Sequence, residues 1–221
     1  MNIERQRNPV LLVHGIFVNS RVFRKMSAYL TNLGWSVHSF NFKSNYGTVG
    51  LDELARQVAD YADKIFGREQ HFDLVGLSMG GLVSRYYVQK LGGFNRVDRF
   101  IAISAPHSGT WMAYSLWGKG CVQMRPQSAF LEELNRDVSV LEQINFTSIW
   151  TDWDFIIVPA ASSQMPVGKE VKLPIFAHGN MARHSKSLAA VAEALAAPIK
   201  PYPQLEHTQC DQKLPQLRSN I

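Results

Sequence analysis

Apolar and polar positions in this chain follow two rhythms. Short unbroken apolar runs, such as Val10-Leu11-Leu12-Val13, have the form of strands buried on both faces of a parallel sheet. Between them, apolar residues recur every three or four positions, as at Val22, Phe23, Met26, Tyr29, Leu30 and Leu33, the spacing of a helix lying on such a sheet. These rhythms predict strands at 9–13, 35–40, 72–77, 97–104, 146–150 and 171–177, and helices over 20–33, 51–65, 80–91 and 185–196. Ser20 is placed to cap the first helix, and Gly34 and Gly67 to end the first and second. Alternation of this kind predicts an α/β fold: a doubly wound, mostly parallel sheet of about six strands with helices on both faces. Residues 1–197 read as one domain. From 198 onward, prolines at 198, 201, 203 and 215 and several glutamines replace the rhythm, so 198–221 reads as an irregular tail.

Composition narrows the picture only a little. A chain of 221 residues with 46% hydrophobic positions can bury a sizeable core. Its net charge of +5 is spread out, with no run of consecutive Lys or Arg, so no nucleic-acid partner is expected. Cys121 and Cys210 are too few for a disulfide framework and read as free thiols or a single bridge. The first residues lack the apolar core of a secretory signal, and no apolar run approaches the ~20 residues of a membrane span. A cytoplasmic or membrane-peripheral enzyme is the expectation.

Chemistry enters at Gly76-Leu77-Ser78-Met79-Gly80, where the third apolar run passes directly into a helical pattern. Gly-x-Ser-x-Gly at a strand-to-helix junction is the sequence form of a nucleophile elbow, which lifts a serine hydroxyl above the sheet. A serine needs a base to take its proton and an acid to orient that base, and elbow enzymes place them in the order Ser, Asp or Glu, His. No Asp or Glu occurs from residue 99 to 131, so the acid falls to the turn after the fifth strand. Asp154 is preferred there over Asp152. Chain order leaves His178, His184 and His207 for the base. His184 is preferred because it directly precedes the closing helix; His178 is the alternative. For the oxyanion, Met79 N–H heads a helix, and the turn after the first strand supplies Ile16 N–H, with Phe17 as alternative. His14 reads as a residue that ties this turn down.

The motifs His14-Gly15-Ile16, Gly76-Leu77-Ser78-Met79-Gly80-Gly81 and Ser104-Ala105-Pro106-His107-Ser108-Gly109 together resemble the α/β-hydrolase superfamily, and within it the small bacterial triacylglycerol lipases and esterases. The resemblance runs from residue 9 to 196. It departs at Leu77, where the family often carries His, and in the Ser-Ala-Pro-His form of the third motif. It implies a serine hydrolase acting on carboxylic esters, with Ser78, Asp154 and His184 as triad and Ile16 and Met79 as oxyanion donors. A thioesterase or acyltransferase would use the same residues, and a non-catalytic binding module is the remaining reading. No metal or cofactor is expected. Residues 107–128 are rich in apolar side chains, and Phe17, His107, Trp111, Met112 and Trp117 are candidates for lining an acyl site. Ester or lipid is the expected partner, with transient contact to a lipid surface if these side chains are exposed.

Overall fold

The computed structural model describes residues 7–201. Cys210, His207 and most of the tail expected at 198–221 lie outside the described residues. Six strands form one sheet in the order β2-β1-β3-β4-β5-β6, every pair parallel. They are β1 (Val10–Val13), β2 (Val37–Ser39), β3 (Phe72–Leu77), β4 (Val97–Ile103), β5 (Asn145–Trp150) and β6 (Lys169–Lys172). Their side chains alternate between two cores. Leu11, Val13, Leu74 and Phe100 face one side, with α2 (Leu51–Phe66) and α3 (Met79–Lys90). Val10, Leu12, Val75 and Ile101 face the other, with α1 (Arg24–Asn32) and α6 (Ser185–Ala196). This two-sided burial is why the strands read as unbroken apolar runs.

Two predicted elements need correction, and two helices were not predicted. The first helix begins as a 3-10 turn, Ser20–Phe23, before α1, and its cap is Asn19, whose side chain accepts from Arg21 N–H at 3.0 Å, not Ser20. The sixth strand occupies Lys169–Lys172 rather than 171–177. Leu173 N–H still donates to Trp150 O at 2.8 Å, but Pro174 has no N–H with which to continue the ladder. Between β4 and β5 the chain forms two short helices absent from the sequence reading, α4 (Lys119–Gln123) and α5 (Ala129–Arg136).

The strand order reverses between β1 and β3: from β1 the chain goes to β2 on one side, and all later strands lie on the other. Ligands in open α/β sheets bind outside the carboxyl ends of the strands at such a switch point. The turn carrying Gly15 and the turn carrying Ser78 leave the two strands that flank it.

Candidate active site

Ser78 sits between β3 and α3 with φ 55° and ψ −125°. Its N–H donates to Ile103 O at 2.8 Å and its carbonyl accepts from Gly81 N–H at 2.9 Å, so the backbone is held from both sides. The bend needs its glycines. A Cβ on Gly76 would lie 2.6 Å from Gly81 Cα, and one on Gly80 would press into the carbonyl oxygen of Val13. A Cβ on Gly15 would come 3.1 Å from Ser78 Cβ, which shows how closely the turn after β1 approaches the serine.

That turn is fixed by His14. Its Nε2 accepts from Phe42 N–H at 3.3 Å, which leaves the proton on Nδ1 for Gly15 O at 2.9 Å. Burial lowers its pKa, only partly countered by the Gly15 carbonyl, so the ring stays neutral in this role. Phe17 N–H is committed to Asn45 O at 3.2 Å, whereas Ile16 N–H has no acceptor among the described residues. Met79 N–H, first in α3, has none within its helix. Two backbone donors are thus left over beside Ser78.

The acid and the imidazole meet at the far side of the same sheet edge. Asp154 Oδ2 pairs with His178 Nδ1 at 2.7 Å. Oδ1 accepts from Ile156 N–H at 3.0 Å and Ile157 N–H at 2.9 Å. The Asp154 side chain is 1% exposed and that of His178 15%. Burial by itself pushes the carboxyl pKa up; the His178 hydrogen bond and charge and the two N–H donors outweigh it, and the net position is below the usual 3.8. A second set of bonds locks the two loops together: Ala177 N–H to Trp153 O at 3.1 Å and Thr151 Oγ1 to Ile175 O at 2.7 Å.

The structure departs from the sequence reading at the base. Asp154 holds His178, not His184. His184 is the N-cap of α6, and its Nδ1 accepts from Lys186 N–H at 3.2 Å, which commits the ring to its own helix. A residue directly before a helix start is in cap position, and that was the signal in the sequence against it. Asp152 is drawn off to an exposed ion pair with Lys172 at 2.7 Å.

His107 is not a lining residue either. It is 1% exposed, packed edge-on to Phe146, with both ring nitrogens unpartnered among the described residues and its pKa pushed well down by burial. Phe17, Trp111, Met112 and Trp117 are exposed, Trp117 to 90%. The segment behind them is divided: Ala113, Cys121 and Met124 turn inward, while Trp111 and Tyr114 stack on the surface at 5.4 Å. Trp111 N–H donates to Val158 O at 2.9 Å and Thr110 Oγ1 to Ile156 O at 2.7 Å, tying this segment to the loop that carries Asp154.

Comparison with solved structures gives the same fold. The lipase of Bacillus licheniformis in its mature form superposes with a TM-score of 0.71 at 13% identity, covering 87% of this chain and 93% of that one. Lipase B of Aspergillus fumigatus matches at 0.72 and 20%, covering 89% of this chain and 54% of its own longer one. A monoacylglycerol lipase of Paleococcus ferrophilus matches at 0.67 and 15%, covering 86% and 95%. The palmitoyl protein thioesterase family model matches residues 9–155, from β1 through the Asp154 turn. The chain therefore belongs to the palmitoyl protein thioesterase family and is a hydrolase of the α/β-hydrolase fold.

Proposed function

We propose that the protein cleaves acyl esters or thioesters through Ser78, His178 and Asp154. Ser78 Oγ attacks the acyl carbonyl carbon while His178 Nε2 takes its proton. The bond to the leaving oxygen or sulfur then breaks, and His178 returns the proton to the leaving group. Water attacks the acyl-serine by the same route, releasing the acid and restoring Ser78. Asp154 accepts from Nδ1–H throughout, fixing the tautomer and steadying the imidazolium. Ile16 and Met79 N–H hold the oxyanion, where one donor is typically worth ~3 kcal/mol. The observation that carries this reading is a 2.7 Å pair between a buried carboxylate and a half-buried imidazole on the sheet edge where a strained serine stands above a helix start.

Family membership favours a thioester, the fold neighbours an oxyester, and both point to an apolar acyl chain. The exposed aromatic side chains at this edge fit such a chain, presented singly or in a lipid surface. Fluorophosphonate labelling tests the core of the proposal: wild type is expected to label on the peptide bearing Ser78, and Ser78→Ala not at all. Label retained in Ser78→Ala would contradict it. Matched oxyester and thioester series of increasing acyl length then assign the bond and the chain.

A further inference from the structure

A depression of about 500 Å³ is lined by Arg21, Val22, Arg24, Lys25, Gly179 and Arg183, of which Gly179 is the chain neighbour of His178. Four of its six lining residues are cationic and none is acidic. Arg21, Arg24 and Lys25 stand at i, i+3 and i+4 on one helical face, so their charges repel across one turn. They also occupy the start of a helical run, where the dipole disfavours cations, and α1 has no acidic residue in its first turn to offset them. None of the three has a side-chain hydrogen bond or ion pair among the described residues, and Arg183 bonds to the neutral Asn180 Oδ1, at 3.0 and 3.1 Å. Elsewhere on the same surface, cations do find carboxylates: Lys119 with Asp52 and Glu53, Lys169 with Glu193, Lys172 with Asp152. Gly179, which directly follows His178, forms part of the wall and has open space where a side chain would be.

We infer that this depression binds a multivalent oxyanion, a phosphate or pyrophosphate group, carried by the leaving group of the substrate. The inference rests on the proposed role of His178. A general acid must stand beside the atom it protonates, so a leaving group lies at His178, whose chain neighbour Gly179 forms part of the wall that carries the four cations. An oxyanion there would relieve the repulsion among Arg21, Arg24 and Lys25 and accept charge-assisted hydrogen bonds from the guanidinium groups that line the depression.

Calorimetric titration with pyrophosphate tests the site apart from catalysis. Wild type and Ser78→Ala are expected to bind alike, Arg24→Ala/Lys25→Ala and Arg183→Gln each to bind about tenfold or more weakly, and Arg68→Ala, remote on the surface, to bind as wild type. Thermal melts of each variant separate lost binding from lost fold. In the second arm, kcat/KM is compared for a soluble short-chain ester whose alcohol bears a phosphate and for its neutral analogue. The anionic-to-neutral ratio is expected to fall about tenfold in Arg24→Ala/Lys25→Ala. Equal pyrophosphate affinity in all variants, or no binding by wild type, would overturn the site. An unchanged ratio, with loss only of co-sedimentation with phosphatidylglycerol vesicles, would overturn the leaving-group assignment and give the cations to a lipid surface. Hydrolysis that survives in Ser78→Ala would instead strike the catalytic reading, while the pyrophosphate result stands by itself.

Discussion

Ser78 holds a backbone conformation that costs a non-glycine residue about 1–3 kcal/mol, and the fold sustains it with hydrogen bonds on both sides of the residue. The bend at Ser78 and the position of Asp154 against an imidazole were legible in the sequence because each is fixed locally: the glycines announce the elbow, and the acid-free stretch from 99 to 131 leaves the Asp154 turn. The choice of imidazole was not, because the loop between β6 and α6 holds two histidines and only the tertiary path, Ala177 tied to Trp153, decides which reaches the carboxylate. Asp154→Asn keeps the shape and removes the charge, so kcat is expected to fall about 10³–10⁴-fold, read from steady-state rates at neutral pH. It also carries a stability signature. The folded pKa lies below 3.8, so the pairing contributes stability above the unfolded value and loses it as pH falls through the folded one. The Tm gap between wild type and Asp154→Asn is expected to be widest near neutral pH and to close as pH drops below 3.8. His184→Ala should lose about 0.5–1 kcal/mol in urea unfolding through its cap.

At the scale of elements, long and strongly patterned pieces were legible and short ones were not. β1, β3, β4 and β5 and helices α2, α3 and α6 fall close to where periodicity put them. α4 and α5 have five and eight residues, too few turns to impose a repeat, and α5 depends on Ser128, whose Oγ accepts from Leu131 N–H at 3.3 Å. β6 is an edge strand of mostly exposed charged residues, so the apolar run after it misled the assignment. The junction of β1, β3 and α3 leaves no room for a side chain, since Gly80 lies on the carbonyls of Val13 and His14. Gly80→Ala is expected to destabilise by about 1–3 kcal/mol, measured as a lower urea midpoint with an unchanged slope. An unchanged midpoint would mean that the elbow is looser than described.

The molecule as a whole buries both faces of its sheet and leaves one edge apolar. Phe17, Trp111, Trp117, Trp153, Phe155 and Phe176 are all exposed in segments that leave the carboxyl ends of the strands, and Phe176 contacts both Trp153 and Phe155. Among the described residues no helix is long and apolar enough to cross a membrane; these exposed aromatic side chains are the part of the edge proposed to meet an acyl chain or lipid surface. Burying one indole removes up to ~200 Å² from water, enough at ~25 cal/mol per Å² to matter greatly for partitioning. Trp111→Ser/Trp117→Ser is therefore expected to lower co-sedimentation with phosphatidylcholine vesicles by about tenfold or more. Equal sedimentation would assign these side chains to the acyl chain alone.

Which imidazole serves Ser78 decides the proposed chemistry. Hydrolysis of one short-chain p-nitrophenyl ester by His178→Ala and His184→Ala, measured side by side with melts confirming the fold, puts the question most directly. His178→Ala is expected to lose activity by about 10³-fold or more, with His184→Ala staying near wild type. The reverse order, or equal losses, would contradict the assignment of His178 as the base.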